Sequence, residues 1–263
     1  IMRNLSILKE KAELAFEVLE SNTGYSKGKL IIKGFFENND KLTKDIIEKQ
    51  LTIIDSYYST NMARRYYGIE EIAEFVISNL TDNKDELKNR FIKFTKEPNN
   101  DKPIIKLFNK HYGYRKTGVQ FGKAISLISK YAFFVTDFNF PIYDAIVREV
   151  YPKLTGNYFD ENNFLDFILK IRELLDESNI SNYNKLDNLM WLIGKINRGN
   201  YSLILNKEKY LNLVSQIKGI ESQKSEEVDK RIKDYINDNF NNLDDVFSPN
   251  QKDMIYFCKQ LNM

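Results

Sequence analysis

Apolar positions along this chain recur mostly at intervals of three and four, the period of a helix with one buried face. Leu5, Leu8, Ala12, Phe16 and Leu19 mark a first helix, and Gly24 and Gly28 then interrupt it. Lys29 to Phe36, KLIIKGFF, reads as a short strand. Ile47, Leu51, Ile54 and Tyr58 mark a second helix; Ile69, Ile72, Ala73, Val76 and Leu80 mark a third. Residues 95–118 are punctuated by Pro98, Pro103, Gly113 and Gly118 and read as loop, a short helix near 104–110, and loop again. Ala124 to Val135 is apolar nearly all round, which predicts a deeply buried helix. After Pro141 another helix opens with Ile146, Val147, Val150 and Leu154, and more are expected at about 162–176, 184–196, 207–218, 225–239 and 250–261. Ser222 to Glu227 is the best linker candidate, with a helix start as the alternative. No internal repeat is present. The expected architecture is all-α: a single helical domain over residues 1–263. A finer expectation is two lobes around a cleft, the central lobe covering about 41–155.

Composition supports this and removes several chemistries. Eleven Gly and five Pro in 263 residues are too few for an all-β protein of tight turns. One cysteine, Cys258, and one histidine, His111, exclude a disulfide scaffold, a zinc ribbon and a cysteine-ligated iron–sulfur cluster. Any Ser-His-Asp or Cys-His arrangement would need His111. No metal and no cofactor is expected. There is no 18-residue apolar run, so no membrane partner is expected. Residues 1–20 alternate charged and apolar residues and do not read as a signal peptide. The default is a cytoplasmic, soluble monomer.

Net charge is only +2, but it is unevenly placed. Residues 102–136 contain no Asp or Glu and carry +7, from Lys102, Lys106, Lys110, Arg115, Lys116, Lys123 and Lys130. The remainder carries −5. A basic block on a mildly acidic chain suits a polyanion, although a solvated basic face would look the same.

The segment Gly118 to Val150 concentrates the candidate chemistry. Gly118 and Gly122 precede the buried helix, whose few polar residues include Lys123, Ser126 and Lys130 at spacings that share one stripe. A buried lysine needs a partner or a wet cleft, because an unpaired buried ammonium costs several kcal/mol or loses its proton. Asp144, in Phe140-Pro141-Ile142-Tyr143-Asp144, stands where the next helix needs an N-cap. Taken singly, Asp144 is a cap and Lys130 half of an ion pair.

Taken together, the order resembles the helix-hairpin-helix DNA glycosylases of the endonuclease III type. In that family a Gly-hydrophobic-Gly hairpin opens a helix beginning Lys-Thr-Ala, and an extended turn leads to a catalytic Asp. Gly118-Val119 with Gly122-Lys123-Ala124 is similar to a degenerate hairpin, and Ile142 to Arg148 is similar to the Asp segment. Two extra residues separate the glycines, Ala124 stands in place of the family's Thr, and the four cluster cysteines are absent. Ser129-Lys130 followed by Pro141-Ile142-Tyr143-Asp144 also resembles a group of bacterial proteins. Asp55 to Asn61, DSYYSTN, looks like a second motif of that group.

The resemblance implies a DNA partner and excision of a damaged or modified base. Asp144 would stabilise the oxocarbenium-like sugar, and Lys130, or Lys123 at the family's helix start, would attack C1′ in a lyase step. It further implies DNA contacts by Lys123, Arg115, Lys116, Gly118, Gly122 and Asn61. A base pocket would involve Tyr57, Tyr143 and Ser129, with Tyr58, Tyr131, Phe134 and Trp191 as further aromatic candidates. The alternative is a nucleic-acid-binding protein that keeps the fold without catalysis.

Overall fold

The computed structural model describes residues 5–20, 23–37, 40–161, 163–217 and 225–262. Among them the chain forms thirteen α-helices, with isolated β-bridges but no strand. They are α1 (Ser6–Glu20), α2 (Thr23–Gly34), α3 (Lys44–Tyr58), α4 (Gly68–Asn79), α5 (Lys84–Lys96), α6 (Lys102–Asn109) and α7 (Ile125–Val135). Then follow α8 (Ala145–Thr155), α9 (Phe164–Glu177), α10 (Tyr183–Asn197), α11 (Lys207–Ser215), α12 (Ser225–Asn239) and α13 (Pro249–Leu261). No helix of the described residues is long and apolar enough to cross a membrane.

Many boundaries are set by side chains that accept the free N–H groups of a first turn. Asn83, Asn163, Asn182 and Asn206 cap α5, α9, α10 and α11, so part of this chain's asparagine content has structural work. Thr43 caps α3, Asp101 caps α6, and Ser248 with Gln251 forms a capping box on α13.

Helix α7 lies at the centre, with every residue from Leu127 to Val135 buried. It packs on α3, α5 and α6. Helix α10 is the second organiser and packs on α1, α8 and α13. The α8–α10 contact is close because Gly194 has no side chain. A Cβ there would lie 2.6 Å from Ile146 Cγ2. Gly194→Ala therefore forces α8 outward, and its expected cost is about 1–3 kcal/mol, read from a denaturant midpoint.

Two expectations are corrected. Lys29 to Phe36 is not a strand, and Gly24 and Gly28 do not interrupt a helix; both glycines and Lys29 to Gly34 belong to α2. A short apolar run does not distinguish strand from helix by period alone. Here Ile32 and Phe36 are buried while Leu30 and Ile31 face out, a helical division. Gly28 is tolerated because the Tyr57 ring of α3 occupies the space a Cβ would fill. Helix α5 escaped the apolar pattern because only Leu87, Phe91 and Phe94 mark its buried face among charged neighbours. Of the linker candidate Ser222 to Glu227, residues 222–224 lie outside the described residues, and Ser225 to Glu227 open α12.

Candidate active site

A cleft of about 700 Å³ opens where the C-terminal end of α3 and the loop Ser59–Asn61 face the first turns of α7 and α8, with α10 behind. Its lining includes Tyr57, Tyr58, Asn61, Lys123, Ser126 and Lys130 on one side, and Tyr143, Asp144, Arg148, Trp191 and Lys195 on the other.

The loop wall is fixed by Asp55. From the last turn of α3 its Oδ1 accepts from Thr60 Oγ1 and from the backbone N–H of Met62 at 3.1 Å. Ser59 and Asn61 take left-handed backbone angles, φ 51° and 64°. The DSYYSTN segment is thus a helix end folded back on itself, with its aromatic residues at the cleft.

Lys130 and Asp144 meet on the floor. Lys130 Nζ lies 3.6 Å from Asp144 Oδ2, and its side chain is 4% exposed against 24% for Asp144. One turn earlier on the same helix face, Ser126 Oγ accepts from Lys130 Nζ at 2.9 Å. The ammonium also sits 5.3 Å from the centre of the Tyr58 ring. Burial pulls the Lys130 pKa below the ordinary lysine value, and the carboxylates of Asp144 and Asp187 oppose that only in part.

Asp144 has two roles at once. Its Oδ1 accepts from the N–H groups of Ile146 and Val147, at 2.9 and 3.0 Å, and so caps α8. Its Oδ2 is turned toward Lys130. The cap and the ion pair use different oxygens.

Beneath this pair lies a second, buried one. Lys29 Nζ donates to Asn188 Oδ1 at 2.8 Å and Asn184 Oδ1 at 3.0 Å, and lies 3.5 Å from Asp187 Oδ2. Tyr25 donates its hydroxyl to Asn188 Oδ1 at 2.9 Å and packs on Trp191. Burial pushes the Asp187 carboxyl upward and the Lys29 amine downward, as expected for charges taken from water. Burial, aided by Asp187, also raises the phenols of Tyr25 and Tyr58, so both stay protonated.

Other expected residues are dispersed. Ser129 is fully buried behind the wall, where its Oγ accepts from Tyr143 N at 3.0 Å and donates to Ser126 O at 3.2 Å. It ties the Asp144 loop to α7 rather than lining the cleft. Tyr131 and Phe134 are core residues. Lys123 is not on the α7 stripe, because the helix starts at Ile125; Lys123 bridges to His111 and donates to Asn109 Oδ1 at 2.8 Å.

Gly118 and Gly122 do not form a tight connector between helices. Residues 111–123 make a long excursion held by the bridges His111–Lys123 and Tyr114–Gln120. Arg115, Lys116 and Gly118 form its exposed tip, with Gly118 at φ 79°. Gly122 lies on the returning limb, where its carbonyl accepts from Arg65 Nη1 at 2.7 Å. His111 is exposed, while Cys258 is buried near the C-terminus with its thiol pushed up to about 12. Neither is near a nucleophile–base arrangement. Among the described residues no group of three or more His, Cys, Asp or Glu is placed to hold a metal.

Sequence reasoning missed Tyr25, Lys29, Asp187, Lys195 and Arg198. A signal for three of them existed: Asp187, Trp191, Lys195 and Arg198 follow one another at spacings of four, four and three, a polar-aromatic stripe along α10 and onto its C-cap. Lys29 was hidden by the strand reading.

No protein-family model matches this chain, and neither a curated protein nor a solved structure does.

Proposed function

We propose that this protein is a DNA glycosylase that removes a damaged or modified base, with Lys130 and Asp144 as its catalytic residues. The observation that carries the reading is the buried Lys130 amine 3.6 Å from the Asp144 carboxylate, on the floor of an aromatic-lined cleft. A nucleotide taken out of its stack needs such a pocket, with π surfaces for the base and charged groups for the sugar.

Cleavage of the N-glycosidic bond leaves positive charge on C1′ and its ring oxygen, and Asp144 Oδ2 supplies the opposing charge. The Lys130 amine, once neutral, adds to C1′ as the C1′–base bond breaks. The departing base takes the bonding pair and the proton that the attacking nitrogen gives up. The C1′–O4′ bond then breaks, O4′ takes a proton from water, and the nitrogen lone pair forms the C=N bond of the protonated Schiff base. Loss of the C2′ proton to water expels the 3′ phosphate with its bonding pair. Burial lowers the Lys130 pKa and raises the fraction of free amine near neutrality.

The test is a panel of lesion-bearing and modified DNAs, with alkali to reveal abasic sites and borohydride to trap the Schiff base. A covalent adduct is expected, lost in Lys130→Gln and kept in Lys123→Gln. Its rate should climb with pH and level off below 10.5, the ordinary lysine value, because the amine deprotonates early. Base release without any adduct would make water the nucleophile and end the lysine assignment. Absence of base release across the panel, with DNA still bound, would favour the non-catalytic reading.

A further inference from the structure

Beside the cleft the chain builds a small three-segment platform. Tyr66 and Tyr114 exchange both backbone hydrogen bonds, each 3.0 Å, and Tyr114 bridges in turn to Gln120. A hydrogen-bonded antiparallel pair puts its side chains on one face, and the next residues on the other. Tyr66, Tyr114 and Gln120 therefore share one face. Arg65, Arg115, Val119 and Phe121 share the opposite face, where Phe121 lies between the two guanidinium groups, 5.0 Å from Arg65 and 5.1 Å from Arg115. Tyr67 follows at φ 63°, a left-handed angle that non-glycine residues seldom adopt.

The platform is open to solvent. Tyr66 is 53% exposed, Tyr67 68%, Tyr114 37% and Val119 59%. Its charge is mainly positive: Arg64, Arg65, Arg115, Lys116 and Lys123 fall in segments 56–69 and 102–136, which contain no carboxylate side chain, and Glu71 from α4 accepts from the Gly113 N–H with its Oε2 at 2.7 Å. It is also continuous with the cleft. The 3-10 turn Met62–Arg64 leads from Asn61 on the cleft wall to Arg65, whose guanidinium is held by the carbonyls of Gly122 and Lys123.

We infer that this platform is a docking surface for an unpaired DNA strand, and that the protein takes single-stranded or locally unpaired DNA in preference to a perfect duplex. The inference rests on the reading that the cleft takes a nucleotide. Exposed rings with cations at their edge are what unpaired bases on a phosphate backbone need. A duplex hides its base faces and would meet only the cations. Arg64, Arg115 and Lys116, exposed at the edge and tip of the platform, supply the phosphate contacts, and the tyrosines supply stacking. The short path from Tyr66 to Asn61 keeps the strand near the pocket.

The test is fluorescence anisotropy with the full chain and one labelled DNA sequence lacking any lesion. It is offered as a single strand, as a perfect duplex, and as a duplex with a three-nucleotide bulge. The single strand and the bulge should bind at least about tenfold more tightly than the duplex, on the scale of stacking one base. Tyr67→Ala and Tyr114→Ala should each weaken single-strand binding by about 5- to 100-fold and leave duplex binding nearly unchanged. Tyr67→Phe should bind as the parent, because the ring is kept, and it also controls for folding. Arg115→Ala with Lys116→Ala should weaken both DNA forms and flatten the salt dependence. Equal or tighter binding of the perfect duplex, or tyrosine variants that bind single strands like the parent, would overturn the inference. The measurement needs no base release, so it stands or falls apart from the catalytic assignment.

Discussion

Asp144→Asn is expected to leave a folded protein that releases base at least about 100-fold more slowly, the scale on which lost electrostatic stabilisation of a developing charge is felt. The substitution separates the two roles of this residue. Asn caps a helix as well as Asp does, and its Oδ1 can still accept from the N–H groups of Ile146 and Val147. Thermal or denaturant stability should therefore change by less than about 1 kcal/mol. What is lost is the second oxygen, 3.6 Å from Lys130 Nζ, and with it the negative charge that the proposed mechanism sets against an oxocarbenium-like sugar. Asp144 also holds the Lys130 pKa up against the pull of burial. Any residual adduct formation in the variant should thus reach its plateau at lower pH than in the parent. Single-turnover base release and the pH profile of borohydride trapping read the two effects separately. A folded Asp144→Asn protein with full activity would reduce Asp144 to a cap.

The largest stability effect is expected at the pair beneath the cleft. Lys29→Met should cost about 3–5 kcal/mol, because it leaves a buried carboxylate without its cation. Lys29 serves three acceptors, on Asn184, Asp187 and Asn188, and its ammonium also lies 4.9 Å from the Tyr25 ring and 5.1 Å from that of Phe133. The side chains of Lys29 and Asp187 are 9% and 13% exposed, so water screens little of the interaction. Met keeps the length of the stem but no donor. In the double variant Lys29→Met with Asp187→Leu the stranded carboxylate is gone, and much of the loss should return. Urea midpoints of the parent, both single variants and the double form the cycle that reads this. The parent should also show a pH signature. Lys29 and Lys130 both have folded-state pKa values below their unfolded ones. Between those lowered values and 10.5 the unfolded chain binds more protons, so these two groups make stability rise with pH there. A Lys29→Met protein as stable as the parent would show that the pair contributes nothing to the fold.

The helical period carries most of the architecture because each long helix buries one face, and apolar residues at three and four mark it without help from neighbours. The near-total burial of α7 was legible in the same way, from Leu127 to Val135. Capping chemistry was legible at Asp144, where a short acceptor follows an extended Phe-Pro-Ile-Tyr segment. The pairing of Lys130 with Asp144 was suggested by residue order, but order cannot supply a distance. That distance depends on Ser129, which binds the Tyr143 N–H and draws the α8 start against α7.

Other features belong to tertiary structure. The helical state of Lys29 to Gly34 depends on Tyr57 covering Gly28 and on the Asn184–Asp187–Asn188 cradle more than 150 residues away along the chain. The basic block was visible in composition, but its separation into an arginine face and a tyrosine face depends on the bridge between Tyr66 and Tyr114, which joins two distant segments. Local periodicity thus determined most of the helices, and residue type pointed to Lys130 and Asp144 as candidates. Only the packed fold decided which charges are buried together, because desolvation and ion pairing act through space between residues that sequence keeps apart.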